Sequence, residues 1–374
     1  MRLGLPPRWA GHRYFKSRDP RDFESTQVHG RQDHVAALPL NVKSREELSR
    51  ERRAWGFSFH DVPLRPVAET SVSRVPDCRV LVGLDHRDQW RIPSYAIFHG
   101  QDVLNVRGTG PDPRLHGPLF GKPAAARIDE GIWILEQWDQ NYSHWVQWHL
   151  VKLALIRKLE LEVPVLVPAG SPLAPVVAAS LAMMGIRHAI ELPGSVFDVG
   201  QLTVIGMDHY RDALLHDLRT RLPCTPAPAE GRRIFISRQL ASRRRLANED
   251  EVWRILEPLG YSRVFLERLT FEQQMQLMSG AVAMFSLHGS GQANMLFAPA
   301  GMQVAEISDI TFPNPQFYAL ASAVGHDFWL LHGRPEGREF EPGQHDVVAD
   351  IQEVRHVADA IEDRLEQRRR ETVP

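Results

Sequence analysis

Cysteine is nearly missing: Cys78 and Cys224 are the only two among 374 residues. They lie far apart and fit no metal-type spacing, so neither a disulfide framework nor a zinc site is expected. A surplus of one charge is missing too, since 44 Lys plus Arg stand against 46 Asp plus Glu, a formal net charge of -2. No whole-protein field then draws in nucleic acid or an acidic membrane, and any anion site must be local. The first residues, MRLGLPPRWAGHRYF, lack the apolar core of a signal peptide. The longest apolar stretch, about Leu173 to Met184, is too short and too interrupted to span a bilayer. A cytoplasmic protein is expected, with peripheral membrane association and oligomeric state left open.

What is present suggests two domains, at roughly 100 to 200 residues each. Residues 1–75 are rich in Arg, Pro and Asp and read as an irregular lead-in with one short helix around Ser44 to Trp55. In residues 76–225, apolar runs recur at Arg79 to Leu84, Tyr95 to Phe98, Gly131 to Glu136, Val163 to Val167 and His188 to Leu192. Helical patterns at Ser143 to Leu159 and Leu173 to Met184 separate the later runs, which predicts an α/β layer on a parallel sheet. CTPAPAEGRR, residues 224–233, has the composition of a linker.

Residues 232–335 read as a doubly wound unit of about five strands: RIFIS, RVFLE, AVAMFSL, QVAEI and DFWLL. Asn248 with Glu251, and Thr270 with Gln273, carry the spacing of capped helix starts. Over residues 345–370, Val347, Ile351, Val354, Ala358, Ile361 and Leu365 form one stripe of a closing helix. Its last arginines, Arg368 to Arg370, suit the helix dipole and need no ligand.

One stretch, SLHGSGQANMLF at residues 286–297, places Gly289 and Gly291 just beyond a strand. In an open α/β sheet ligands bind past the carboxyl ends of the strands, and a residue without a side chain lets a phosphate approach the backbone. Glu306, on the next strand, stands where a ribose-gripping carboxylate would. Arg238 follows the first strand of the same unit on the same edge, with Arg243, Arg244 and Arg245 close behind. A diphosphate there would gain charge-assisted bonds. The blander readings are a tight turn, a solvated strand-end acid and a basic loop.

The motifs ISR, RRLANEDEV, LTFEQQMQLMSGA, HGSGQANMLFAPAG and VAEI, in this order from Arg233 to Ile307, resemble glycosyltransferase family 61. NYSHWVQWHLVK, residues 141–152, is similar to that family's N-Y-x-H-W-L-x-D-x-L-P-R. The resemblance implies a GT-B fold, two Rossmann-like domains facing a cleft, with the last helix crossing back. It implies sugar transfer from a nucleotide-sugar to a glycan or polysaccharide hydroxyl, inverting and independent of metal, in keeping with the lack of any Asp-x-Asp, and no cofactor is expected. Arg238, Arg244, Asn248, His288, Gly289, Ser290, Gly291, Gln292, Asn294 and Glu306 are then expected on the donor side. Asn141, Trp145 and Trp148 are expected on the acceptor side, and His144 as the base, imidazole titrating near neutrality.

Ser290 and Gln292 depart from the family's Ala and Leu, and Trp148 stands in place of its Asp. Asp208 and His209 are weaker candidates for the base, and His144 serves equally well as a helix cap. Trp133, Trp138, Trp145 and Trp148 suit either sugar stacking or core packing. A nicotinamide oxidoreductase is a poorer fit, because Asn294 stands where the third fingerprint glycine belongs. A non-catalytic nucleotide-sugar binder is the other alternative.

Overall fold

The computed structural model describes residues 16–53, 56–84, 92–222, 231–337 and 342–372. It divides into two compact units, one of the described residues up to Gln32 with Val67–His209, the other of Asp33–Pro66 with Tyr210 onward. The linker expected at 224–233 falls largely on residues outside those described. The division comes earlier because helix α5 (Asp212–Arg219) belongs to the second unit: Arg219 donates to the carbonyls of Ala298 and Val324.

Nor is 1–75 a separate lead-in. Residues 33–66 join the second unit, where Leu40 donates to Phe328 O and the Asn41 amide exchanges two bonds with the Leu330 backbone. A segment that lies along a strand in this way needs no periodicity of its own. The helix expected around Ser44 to Trp55 is a single 3-10 turn, Arg45–Glu47, and residues 54 and 55 lie outside those described.

The first unit holds a nine-stranded sheet. Its strands are β1 (Ser17–Arg18), β2 (Glu24–His29), β3 (Thr70–Leu84), β4 (Pro93–His99), β5 (Asp102–Leu104), β6 (Ala126–Trp133), β7 (Val165–Pro168), β8 (Ala189–Leu192) and β9 (Val196–Gly206). The order is β1-β5-β4-β3-β9-β6-β7-β8, with β2 also on β3. β9, β6, β7 and β8 form a parallel run and β1 pairs parallel with β5, while β3 pairs antiparallel with β2, β4 and β9. The expected parallel sheet is therefore a mixed one. Long β3 is the cause, since a 15-residue strand can pair with two neighbours along most of its length. The helices are α1 (Pro113–His116), α2 (Tyr142–His144), α3 (Leu150–Lys158) and α4 (Ala174–Met183). A π-turn, Trp145–His149, joins α2 to α3 in one helical run.

The second unit is nearer the expectation. After α5 come β10 (Arg232–Ile236), α6 (Glu249–Leu256), β11 (Tyr261–Val264), α7 (Phe271–Met278), β12 (Ala281–Leu287), β13 (Gln303–Asp309), α8 (Gln316–Ala323), β14 (Asp327–Pro335), β15 (Val347–Ala349) and α9 (Ile351–Thr372). The order β11-β10-β12-β13-β14-β15 has five parallel strands and one antiparallel edge. β12 is an apolar run rather than an alternating one, the usual mark of a buried parallel strand, and β13, QVAEISD, is buried along its whole length despite its polar residues.

Val347, assigned above to the closing helix, is in β15, and the helix starts at Ile351. Val354, Ala358, Ile361 and Leu365 pack with Phe235, Phe285, Ile307 and Leu331 in one core. The closing helix thus buries its stripe on the second unit's own sheet. Arg233 grips Glu362 through two bonds of 2.8 and 2.7 Å, and Arg364 and Arg368 reach Asp327. Arg368 thereby has a partner beyond the helix dipole. Among the described residues no helix is long and apolar enough to cross a membrane.

Candidate functional site

Each unit carries a cluster of polar side chains. In the second, β10 and β12 run parallel with Ile236 opposite Ser286, so their carboxyl ends share an edge. Arg238 and Gly289 follow those ends, and they meet: a Cβ on Gly289 would fall 2.0 Å from Arg238 Nη1. Gly289 is extended, with φ 176, so what it supplies is room rather than a special conformation.

The Arg238 guanidinium is held by neutral carbonyls. Its Nε donates to Arg244 O at 2.7 Å and its Nη2 to Arg243 O at 3.1 Å, while its backbone N donates to Glu249 Oε2 at 3.0 Å. Buried Glu249 also accepts from Ser237 and Arg263, fixing the turn that aims Arg238. Burial, and then the charges of Arg244 and Arg243, push the guanidinium down to about 10, which leaves it cationic at neutral pH. Arg244 adopts φ 54, uncommon for a residue with a side chain, and its Nε is buried without a hydrogen-bond partner among the described residues. Burial, then Arg243, lowers its proton affinity as well. Arg243 and Arg245 are engaged by Gln344 and Asp346. Arg238 and Arg244 are left as adjoining, partly buried cations, an arrangement suited to a di-anion.

Other residues expected on the donor side do different work. A Cβ on Gly291 would meet Leu266 Cδ1 at 2.5 Å, so this glycine permits packing. Glu306 is fully buried and does not offer itself to a ribose; its Oε1 lies 2.8 Å from His288 Nδ1 and orients that imidazole. Burial raises its proton affinity, against the attraction of His288. Asn294, also fully buried, donates to Gln274 Oε1 at 2.8 Å and ties the loop to α7. Asn248 bonds both backbone groups of Ala349, at 3.0 and 2.9 Å, with no side-chain cap on α6. Gln292 is buried with neither amide atom bonded among the described residues, and Ser290 is part-exposed.

In the first unit the cluster surrounds Glu136, in the connection between β6 and α2. Its Oε1 lies 3.2 Å from His144 Nδ1 and 3.8 Å from His149 Nε2. Those histidines are five apart, and the π-turn between them, with its i to i+5 bonding, turns both toward one carboxylate. Lys152 Nζ donates to Ile134 O at 3.0 Å, as the His149 ring does at 2.8 Å. Tyr95 donates to Asp139 at 2.5 Å.

Burial sets most of the proton affinities here. It pushes His149 down to about 3, Lys152 down to about 8 and Asp139 up to about 8. Burial would raise Glu136 also, but the His144 hydrogen bond and the charge of Lys152 outweigh it, and Glu136 stays below its usual range. Glu136, Asp139, Tyr95, His149 and Lys152 were not singled out from the sequence. The available signal was a carboxylate, two imidazoles and an ammonium within one strand-to-helix connection.

Trp148 packs against His144 at 4.2 Å and His209 at 4.5 Å, with the Arg107 guanidinium over its ring at 4.1 Å. Trp133 and Trp145 are fully buried core residues, Trp145 donating to Ser180 at 3.0 Å, so Trp145 presents no stacking face. Trp138 is 42% exposed and lies beside His144. Asn141 caps α2 by accepting from Ser143 at 3.0 Å, and Asp208 accepts from Ala68 N.

Residues 142–305 match the family described as Glycosyltransferase 61. The chain is similar to glycosyltransferase 61 over this segment. The glycosyltransferase 61 segment holds His144, Trp148, Arg238 and the whole glycine loop, while the two carboxylates that orient the imidazoles, Glu136 and Glu306, flank its ends. A curated relative, the EGF domain-specific O-linked N-acetylglucosamine transferase of Drosophila melanogaster, is 26% identical over 168 residues, 42% of this chain and 32% of the relative. The chain thus spans about a third of that relative's length. Together the family match and the relative support a glycosyltransferase.

Among solved structures, the dodecameric iron-containing heptosyltransferase TibC in complex with ADP-D-beta-D-heptose is similar at 9% identity, over 80% of this chain and 93% of its own, with a TM-score of 0.33. TibC from enterotoxigenic E. coli H10407 gives 8% identity, 80% and 94% coverage and the same TM-score. At that TM-score no residue role is transferred.

Proposed function

We propose that the chain moves a sugar from a nucleotide-sugar to an acceptor hydroxyl, as a GT-B type transferase whose second unit holds the donor. The observation that carries this reading is Arg238 lying against Gly289 beside Arg244, two guanidinium groups that bond no carboxylate among the described residues. A leaving diphosphate needs its growing charge met, and fixed guanidiniums can do this without a divalent ion.

In a single displacement the acceptor oxygen bonds the anomeric carbon as the bond to the diphosphate breaks, which inverts that centre. The hydroxyl proton passes to His144 Nε2. Glu136, bonded to Nδ1, fixes the ring's tautomer and stabilises the imidazolium that forms. Trp148 then need not supply the acid that relatives carry at its position, because Glu136 stands at the same imidazole. A cytoplasmic enzyme of surface polysaccharide synthesis fits this reading.

Calorimetric titration with UDP, GDP, CMP and NAD tests it. A nucleoside diphosphate should bind and NAD should not; NAD binding with no sugar nucleotide bound would end the transferase reading. Binding without transfer or donor hydrolysis would favour a non-catalytic binder.

A further inference from the structure

The first unit contains a cavity of about 310 Å³ that the donor reading leaves unused. Its lining includes Arg21, Ser71, Ser73, Asn105, Arg107 and Lys152. Ser71 and Ser73 stand two apart on β3 and so share a face. Opposite Ser71 in register is Gly206, whose lack of a side chain keeps that wall open.

The charges lining the cavity do not cancel. Arg21 is neutralised by Asp19 and Glu69, both paired with it. Arg107 has no carboxylate partner among the described residues; its guanidinium rests on the face of Trp148. Lys152 is nine-tenths buried, yet one of its three donors alone is used, on Ile134 O. Glu136 attracts Lys152 but gives its hydrogen bond to His144. A buried ammonium with spare donors and a stacked guanidinium call for an anion, and the Ser71 hydroxyl and the Asn105 amide suit the neutral part of a sugar, the Ser73 hydroxyl being bonded to Ser25 at 3.0 Å.

We propose that this cavity binds an acidic group on the acceptor, a carboxylate or phosphate carried by a sugar, through Arg107 and Lys152. The proposal rests on the transferase reading for the word acceptor, while the site itself stands on the first unit alone. Trp148 takes part by holding Arg107 in place, which gives the tryptophan that replaces the family's acid a use: an acid there would repel the same ligand.

The test measures binding without nucleotide. One probe is a tetrasaccharide of alternating glucuronate and N-acetylglucosamine beside its carboxyl-reduced twin; the other is mannose 6-phosphate beside mannose. A charged probe should bind about tenfold tighter than its neutral twin. Which pair shows the preference identifies the anion as carboxylate or phosphate. Arg107→Ala, a change at an exposed side chain, should abolish the preference, and Arg107→Lys should restore part of it. Equal binding of charged and neutral twins, no binding of either charged probe, or a preference untouched by Arg107→Ala would each overturn the proposal. UDP titration of the same samples keeps the readings apart: lost UDP binding with an intact acid preference sinks the donor assignment and spares this one.

Discussion

Gly289 and Gly291 are two residues apart and alike in the sequence, yet the reasons for them differ. At Gly289 the obstacle to a side chain is the tip of Arg238, a flexible group that can swing away. Gly289→Ala should leave the fold intact and displace the guanidinium. We expect it, like Arg238→Ala, to weaken UDP binding about ten- to a hundredfold, the worth of one charge-assisted contact, with uridine binding unchanged. At Gly291 the obstacle is Leu266, a buried side chain. Gly291→Ala should cost about 1 to 3 kcal/mol of stability through overpacking and leave UDP affinity alone. Titration and denaturant unfolding of both variants check this, and equal loss of UDP and uridine binding in Gly289→Ala would contradict the assignment.

At the level of elements, the helical run from Tyr142 to Lys158 depends on its π-turn to point His144 at Glu136. His144→Ala should lower turnover about a hundred- to ten-thousandfold with donor affinity unchanged, and Glu136→Gln should lower it less. Initial rates at saturating donor decide, and unchanged turnover in His144→Ala would remove it as base. The π-turn also explains why this cluster was hard to read: a spacing of five falls on no single face of a 3.6-residue helix. Tyr95 and Asp139 come together only through sheet order, and β9, VFDVGQLTVIG, is broken by a central glycine and glutamine. The second unit was more legible because short strands alternate there with helices, and the Thr270 capping box lies where the pattern placed it. Asn248 has the same pattern without the cap, since the β15 backbone takes its amide. Glu306 shows the other limit: its position beyond the loop was legible, its complete burial was not.

Over the whole molecule, near-zero net charge leaves stability against pH to buried groups. His149 and His326 are buried neutral, pushed down to about 3 and about 4, and burial lowers His116 too. A histidine with its folded pKa below the unfolded value, near 6.5, costs nothing at pH 7.5. As pH falls below about 6.5 the unfolded chain takes up protons that the folded chain refuses, so stability drops until the folded pKa is reached. Asp139, pushed up to about 8 by burial, has the opposite slope, since its folded state keeps a proton that the unfolded chain loses above about pH 4. The total slope therefore mixes signs, and a difference between variants isolates one group. His326 is the cleanest, its Nε2 donating to Met295 O at 2.9 Å and its Nδ1 buried without a partner among the described residues. His326→Asn should lose less stability than the parent between pH 6.5 and 4.5, by up to about 1.4 kcal/mol per pH unit. Urea unfolding across that range measures it; parallel curves would mean that His326 accepts a proton while folded, with its ring reaching water.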